Sequence, residues 1–126
     1  MELFENEQKQ EAAVLVSVDT GEFDIDSSLL ELTELAKTAG AEVIGEITQR
    51  RDAPDSATYI GKGKLEELSE FCEMNEHDLI IIDGDLSPSQ QRNIENITDG
   101  RVIDRTTLIL DIFAMRALIG YGKLQV

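Results

Sequence analysis

Stretches in which nearly every position is apolar alternate along this chain with stretches in which apolar residues recur every three or four positions. Ala13–Val18 (AVLVSV) is an almost unbroken β-branched and apolar run, which predicts a strand covered on both faces and central in its sheet. Ser28 with Glu31 three residues later makes a capping-box pattern, and Leu29, Leu32, Leu35, Ala36 and Ala39 follow at helical spacing until Gly40 offers a left-handed stop. Ala41–Thr48 (AEVIGEIT) is more polar and partly alternating, as suits a second strand nearer an edge. A loop from Gln49 to Ala57 contains Pro54, and Tyr59–Lys64 then opens a second helix that buries Leu65, Leu68, Phe71 and Cys72. Asp78–Asp83 (DLIIID) is the plainest strand of the chain. Ser87-Pro88-Ser89-Gln90 starts a third helix, with Ser87 as cap, Pro88 in the first helical position and Gln90 as capping-box partner, running to about Thr98. Arg101–Asp104 reads as a short fourth strand. From Thr106 to Ala117 the helical residues Leu108, Ile109, Leu110, Ile112, Phe113 and Met115 cover most of the circumference, so this helix is buried all round or faces a partner.

The pattern is strand and helix, four times over, with connections long enough to return in parallel. It predicts an α/β fold: an open, mainly parallel four-stranded sheet flanked by helices. Functional residues in such sheets gather beyond the carboxyl ends of the strands, which here collects Asp19, the Gln49–Lys64 loop, Asp83–Ser87 and Asp104. A chain of 126 residues suits one domain, with residues 1–11 as a polar tail and the domain proper over 12–126.

Composition narrows the function. Cys72 is the single cysteine, which excludes an internal disulfide, and the lack of a leader pattern or a long apolar run points to the cytoplasm. A formal charge of −15 argues against binding nucleic acid through the whole surface. The charge is uneven, however: Arg50, Arg51, Lys62 and Lys64 face only Asp52 and Asp55 within residues 50–64, a local positive island.

Gly61-Lys62-Gly63-Lys64 lies in that island. Two glycines let backbone approach an anion, and the following helix would aim amide groups at it. The stretch is not a Walker A motif, since Thr58 stands where the first glycine belongs and Leu65 follows Lys64. Nor is it a dinucleotide fingerprint, because Glu66 takes the third glycine position. A structural turn and an anion or RNA-backbone contact made with Arg50, Arg51 and Tyr59 both remain open, as does a stand-alone nucleotide-binding domain using the same turn. Asp83 and Asp19 at strand ends admit a receiver-like phosphoacceptor, the alternative being carboxylates that cap turns and helices. His77 belongs to a polar turn and Cys72 to a helix's apolar face; neither has a partner for catalysis or metal binding at a recognisable spacing.

Three stretches together resemble the N-terminal domain of the HflX family of ribosome-associated GTPases. The first runs from Thr48-Gln49-Arg50-Arg51-Asp52-Ala53-Pro54 to Tyr59-Ile60-Gly61-Lys62-Gly63-Lys64 and Glu67. The second is Leu86-Ser87-Pro88-Ser89-Gln90 with Arg92, Asn93 and Glu95. The third is Val102–Ala114 (VIDRTTLILDIFA), then Arg116-Ala117 and the closing Gly122-Lys123-Leu124-Gln125-Val126, with a departure at Leu118–Tyr121. The resemblance implies a binding or regulatory domain whose parent protein associates with the large ribosomal subunit in splitting or rescue. It places the helical hairpin and the GTPase domain, with GTP and Mg²⁺, downstream, and expects no cofactor and no catalytic residue within these residues. It marks Arg51, Tyr59, Gly61, Gly63 and Lys64, and Arg92 and Asn93 of the second motif, as residues for rRNA contact or for docking on the parent's own GTPase and helical domains.

Overall fold

A computed structural model describes residues 10–125, with side chains placed through residue 116. Strand β1 spans Glu11–Asp19, helix α1 Ile25–Thr38, β2 Ala41–Arg50, α2 Lys62–Met74, β3 Leu79–Ile82, α3 Pro88–Thr98, β4 Arg101–Asp104 and α4 Arg105–Gln125. The sheet order is β2-β1-β3-β4, and every neighbouring pair is parallel. The expected α/β architecture of four strand-helix units is therefore the observed one. The tail expected over residues 1–11 falls on residues 1–9, which lie outside the described ones, and on Gln10 and Glu11, where β1 already begins.

Each strand's alternating residues feed two cores. Val14, Val16 and Val18 of β1 join Ile80, Ile82 and Val102 beneath α2 and α3, where Leu65, Leu68, Cys72 and Ile94 close the layer. Ala13 and Leu15 point the other way and join Leu79, Ile81 and Ile103 beneath α1 and α4, against Leu29, Leu32, Ala36, Leu108 and Ile112. A strand buried on both sides needs apolar residues at both parities, which is why β1 and β3 read as continuous apolar runs. Cys72 is a core thiol, and burial pushes its pKa up.

Several element boundaries differ from the sequence reading: β2 continues through Gln49 and Arg50, which were expected in the loop, α2 starts at Lys62 rather than at Tyr59, and both α1 and α4 differ at one end. Helix α1 is capped by Asp24 rather than Ser28: the Asp24 carboxylate accepts from the amides of Asp26 (3.1 Å) and Ser27 (3.3 Å) and from the Ser27 hydroxyl. Those bonds, that of the Ser27 hydroxyl foremost, hold the Asp24 pKa below its ordinary value. Ser28 thus sits one turn inside the helix, where its hydroxyl serves another purpose described below. Helix α4 continues past Ala117 to Gln125, through the divergent Leu118–Tyr121 stretch. It is not buried all round: Leu108 and Ile112 face the sheet, while Leu110 and Phe113 are exposed. The capping box at Ser87 is as expected, with the Ser87 hydroxyl accepting from the Gln90 amide at 3.1 Å and the Gln90 side chain accepting from the Ser87 amide at 2.8 Å.

The chain leaves β1 for β2 on one side and later places β3 on the other, so the topological switch point falls between the carboxyl ends of β1 and β3.

Candidate functional site

The loop that joins β2 to α2 passes over this switch point, and it is fastened at nearly every residue. The Arg51 amide donates to the Asp19 carbonyl at 3.1 Å, continuing the sheet past β2. The Arg51 guanidinium turns back, with Nε donating to the Ala53 carbonyl at 3.1 Å and the head 3.8 Å from Asp55. Asp55 in turn accepts from the amides of Ala57 (2.8 Å) and Thr58 (3.1 Å), which depress its pKa. Asp55 and Tyr59 exchange both backbone hydrogen bonds, at 2.9 and 3.0 Å.

Helix α3 braces the loop from the side. Gln90 donates from Nε2 to the Asp55 carbonyl at 2.7 Å, and Asn93 donates from Nδ2 to the Ala57 carbonyl at 2.9 Å. Gln90 thus has two tasks, closing the capping box with one end of its amide and gripping the loop with the other. Sequence reasoning saw only the first.

These fastenings hold Tyr59 at φ 66°, a left-handed conformation that costs a non-glycine residue about 1–2 kcal/mol. The result is that the Tyr59 ring turns inward. It is buried, its hydroxyl donates to the Asp83 carbonyl at 3.4 Å, and burial, with the nearby Asp83 carboxylate, pushes its pKa up to about 12. Gly84 has no Cβ where the Tyr59 hydroxyl lies; one added there would stand 2.1 Å from it.

Asp83 anchors the floor of the switch point. Its side chain is almost wholly buried; Oδ1 receives Arg105 Nη1 at 2.9 Å, and Oδ2 receives the Ser28 hydroxyl at 2.7 Å and the Ser17 hydroxyl at 3.3 Å. Arg105 also donates to the Ser28 hydroxyl at 3.2 Å and pairs with Glu31. Arg105, Ser17 and Ser28 were not among the sequence candidates. They lie 22, 66 and 55 residues from Asp83, so no local spacing connects them. Asp104 supports the same edge: burial alone would raise its pKa, but the amides of Leu86 and Thr107 donate to its carboxylate at 3.0 and 2.9 Å and bring it down.

The sequence candidates therefore divide. Arg51, Tyr59 and Asn93 direct their polar atoms inward and hold the loop. The Gly61 amide donates to Gln49 Oε1 at 2.7 Å and is buried, which spends it internally. Arg50, Lys62 and Gly63 are exposed, and nothing stands within 4 Å of where a Gly63 Cβ would lie. Lys64 is partly exposed and pairs with Glu67 at 3.2 Å on the α2 surface. Arg92 is exposed on α3, apart from the hydrogen bonds that brace the loop.

Chemically this edge suits contact. A P-loop presents unspent amides around an open cradle, whereas here the first glycine's amide is bonded to Gln49 and the crevice between β1 and β3 holds Tyr59 and the Asp83–Arg105 pair. Among the described residues this edge does not form a P-loop-type cradle for the phosphates of GTP. Both Asp83 oxygens are engaged and Asp19 accepts from the Gly21 amide at 3.0 Å, so the strand-end acids serve turns and ion pairing rather than an open phosphoacceptor. Among the described residues no group of three or more His, Cys, Asp or Glu could hold a metal ion, and no helix is long and apolar enough to cross a membrane.

Residues 26–114 match the family described as GTP-binding GTPase N-terminal. Over 93% of its length the chain is 49% identical to the GTPase HflX of Caldanaerobacter subterraneus subsp. tengcongensis, covering 27% of that protein. It is 46% identical to the GTPase HflX of Lacrimispora saccharolytica (99% of this chain, 30% of that one) and 40% identical to that of Escherichia coli (98% and 29%). Among solved structures, a complex of SsGBP with GDP matches with a TM-score of 0.64 at 25% identity, over 84% of this chain and 29% of that one. A GTP-binding protein from the hyperthermophilic archaeon Sulfolobus solfataricus, in complex with GDP, matches with a TM-score of 0.59 at 24% identity and shows the shared fold. The chain spans three-tenths or less of the length of these curated relatives.

Proposed function

The chain belongs to the HflX family of GTPases, to whose N-terminal region it corresponds, and we propose that it is a binding and regulatory module of a cytoplasmic GTPase that acts on the large ribosomal subunit. In this reading GTP and Mg²⁺ are held by the downstream domain of the parent protein, and the present residues make a contact with ribosomal RNA.

The observation that carries the reading is the loop's construction. A positive segment on an acidic domain is pinned from behind by Gln49, Tyr59, Gln90 and Asn93, while Arg50, Lys62 and Gly63 face outward. A rigid loop flanked by outward cations, Arg50 ending β2 and Lys62 starting α2, meets an RNA backbone at little entropic cost, and a glycine with open space beside it admits close approach of a phosphate. Lys64 joins them readily, because an exposed pair such as Lys64–Glu67 contributes little and can exchange partners. Arg51 is assigned to support of the loop. The remaining acidic surface favours a single orientation of the domain on RNA.

The test is co-sedimentation of the full-length parent with large subunits at several salt concentrations. Replacing Arg50 and Lys62 together by Ala should weaken binding and reduce its salt dependence by about one to two units of slope. Unchanged binding and slope would refute the RNA contact and leave docking on the GTPase domain as the duty of this edge.

A further inference from the structure

Two parts of the domain meet at the Asp83–Gly84 peptide. From the contact loop, the Tyr59 hydroxyl donates to the Asp83 carbonyl at 3.4 Å and its ring lies against Gly84. From the start of α4, the Arg105 amide donates to the Gly84 carbonyl at 3.4 Å, and the Arg105 guanidinium grips the Asp83 carboxylate at 2.9 Å. The same guanidinium reaches Ser28 and Glu31 of α1. Arg105 therefore adds polar contacts with both β3 and α1 to the apolar seating of α4 by Leu108 and Ile112, and one peptide separates it from Tyr59.

Three properties make this junction responsive rather than merely packed. Tyr59 is held in a strained left-handed conformation, so its loop has a lower-energy arrangement available if the fastenings yield. The Arg105–Asp83 pair is directional, with Asp83 buried and Arg105 half-buried, so a small displacement of the β3 end costs more than it would in water. Finally, the hydrogen bonds from the Arg105 amide to Gly84 and from the Tyr59 hydroxyl to Asp83 are both long, at 3.4 Å, so both open at little cost.

We infer that Tyr59, Asp83–Gly84 and Arg105 form a mechanical link by which engagement of the β2–α2 loop and the first turn of α2 alters the seating of α4. This rests on the reading of that loop as the contact site. The consequence is regulatory: a partner that pulls on the loop draws Tyr59 from Gly84, loosens the grip of Arg105 and releases the first turn of α4 from the sheet. Linkage requires the reverse as well, so loosening α4 must loosen the loop.

The experiment is amide hydrogen exchange on the 126-residue chain without any partner. Tyr59→Phe should accelerate exchange at Arg105 and Thr107 by about twofold, and Arg105→Lys should accelerate it at Tyr59 and Gly61 by a similar factor, while β1–β2 ladder amides keep their rates. Should Arg105→Lys loosen the whole domain, the milder Glu31→Gln, at an exposed partner of Arg105, decides by the same loop amides. Effects confined to the side that carries the substitution would overturn the inference. Arg50→Ala with Lys62→Ala separates the two readings: those changes should leave exchange untouched and act only on subunit binding. Loss of subunit binding without reciprocal exchange effects removes the link and keeps the contact site; reciprocal effects with unchanged binding keep the link and remove the contact site.

Discussion

The tightest steric statement in this structure concerns Gly84. An added Cβ would lie 2.1 Å from the Tyr59 hydroxyl oxygen and 3.1 Å from Cζ. The ring has little freedom to withdraw, because the Tyr59 backbone is fixed by two bonds to Asp55 and the ring lies within the core beneath α2 and α3. Gly84→Ala must therefore either shift the end of β3 or drive the ring out. Overpacking of this kind costs about 1–3 kcal/mol, and loss of a buried aromatic side chain about 1.5–3 kcal/mol. The expected outcome is a loss of about 2 kcal/mol in urea unfolding, with the midpoint lowered and the m-value unchanged.

A second background isolates the cause. Tyr59→Phe removes the atom at 2.1 Å and leaves Cζ at 3.1 Å, a contact that a few tenths of an ångström relieve. In that background Gly84→Ala should cost less than half as much. The cycle isolates the clash because the hydroxyl's own bond, at 3.4 Å, is weak and contributes about 0.5 kcal/mol. An equal cost in both backgrounds, or a cost under about 0.5 kcal/mol with Tyr59 present, would refute the claim that Gly84 is the seat of Tyr59.

Other outcomes follow from the same geometry. The Tyr59 phenol has its pKa raised from 10.0 to about 12, so its contribution is fully present below pH 10 and is lost as pH rises toward 12; Tyr59→Phe should flatten this alkaline fall, read as the difference between the two proteins' unfolding midpoints across pH 9–12. Gly63→Ala meets no neighbour within 4 Å and should keep or raise stability, whereas a Gly61 Cβ would lie 2.9 Å from Arg51 Nη1 and should loosen the loop; thermal melts of both check this, and a Gly63→Ala protein that melts normally but loses subunit binding marks Gly63 as contact surface. Ser87→Ala should cost about 1 kcal/mol in urea unfolding by removing the cap of α3. Leu110 and Phe113 leave an apolar stripe exposed on α4, and replacing both by Ser should reduce any concentration-dependent association in analytical ultracentrifugation; association that survives the change comes from another surface.

What could be read from the sequence depends on how far apart the deciding residues lie. Strands β1 and β3 were legible because burial on both faces writes itself into consecutive residues, and the cap at Ser87 because its partner is three residues away. At the start of α1, Asp24 and Ser28 are both good caps, and pattern alone chose the wrong one. The choice is made from a distance: Ser28 is worth more one turn inside the helix, where its hydroxyl reaches buried Asp83. The end of α4 was missed because the apolar pattern was followed only to Ala117, whereas the helix continues to Gln125.

The candidate site shows the same division in its chemistry. Its motif residues carry side chains that suit either RNA contact or internal bonding, and sequence cannot tell which way a guanidinium or a phenol turns. The answer comes from backbone geometry. The left-handed conformation at Tyr59 rotates its ring into the domain, and the Asp55 turn draws the Arg51 head back onto its own loop. A count of positive residues in the 50–64 segment therefore overstates the outward charge, because Arg51 supports the loop. What it understates is rigidity: Gln49, Gln90 and Asn93 carry no charge, yet they fix the loop that runs between Arg50, held in the sheet, and Lys62 at the start of α2. For recognition of a phosphate backbone the frame matters as much as the charges, since two cations on a mobile loop would spend much of their attraction on ordering it.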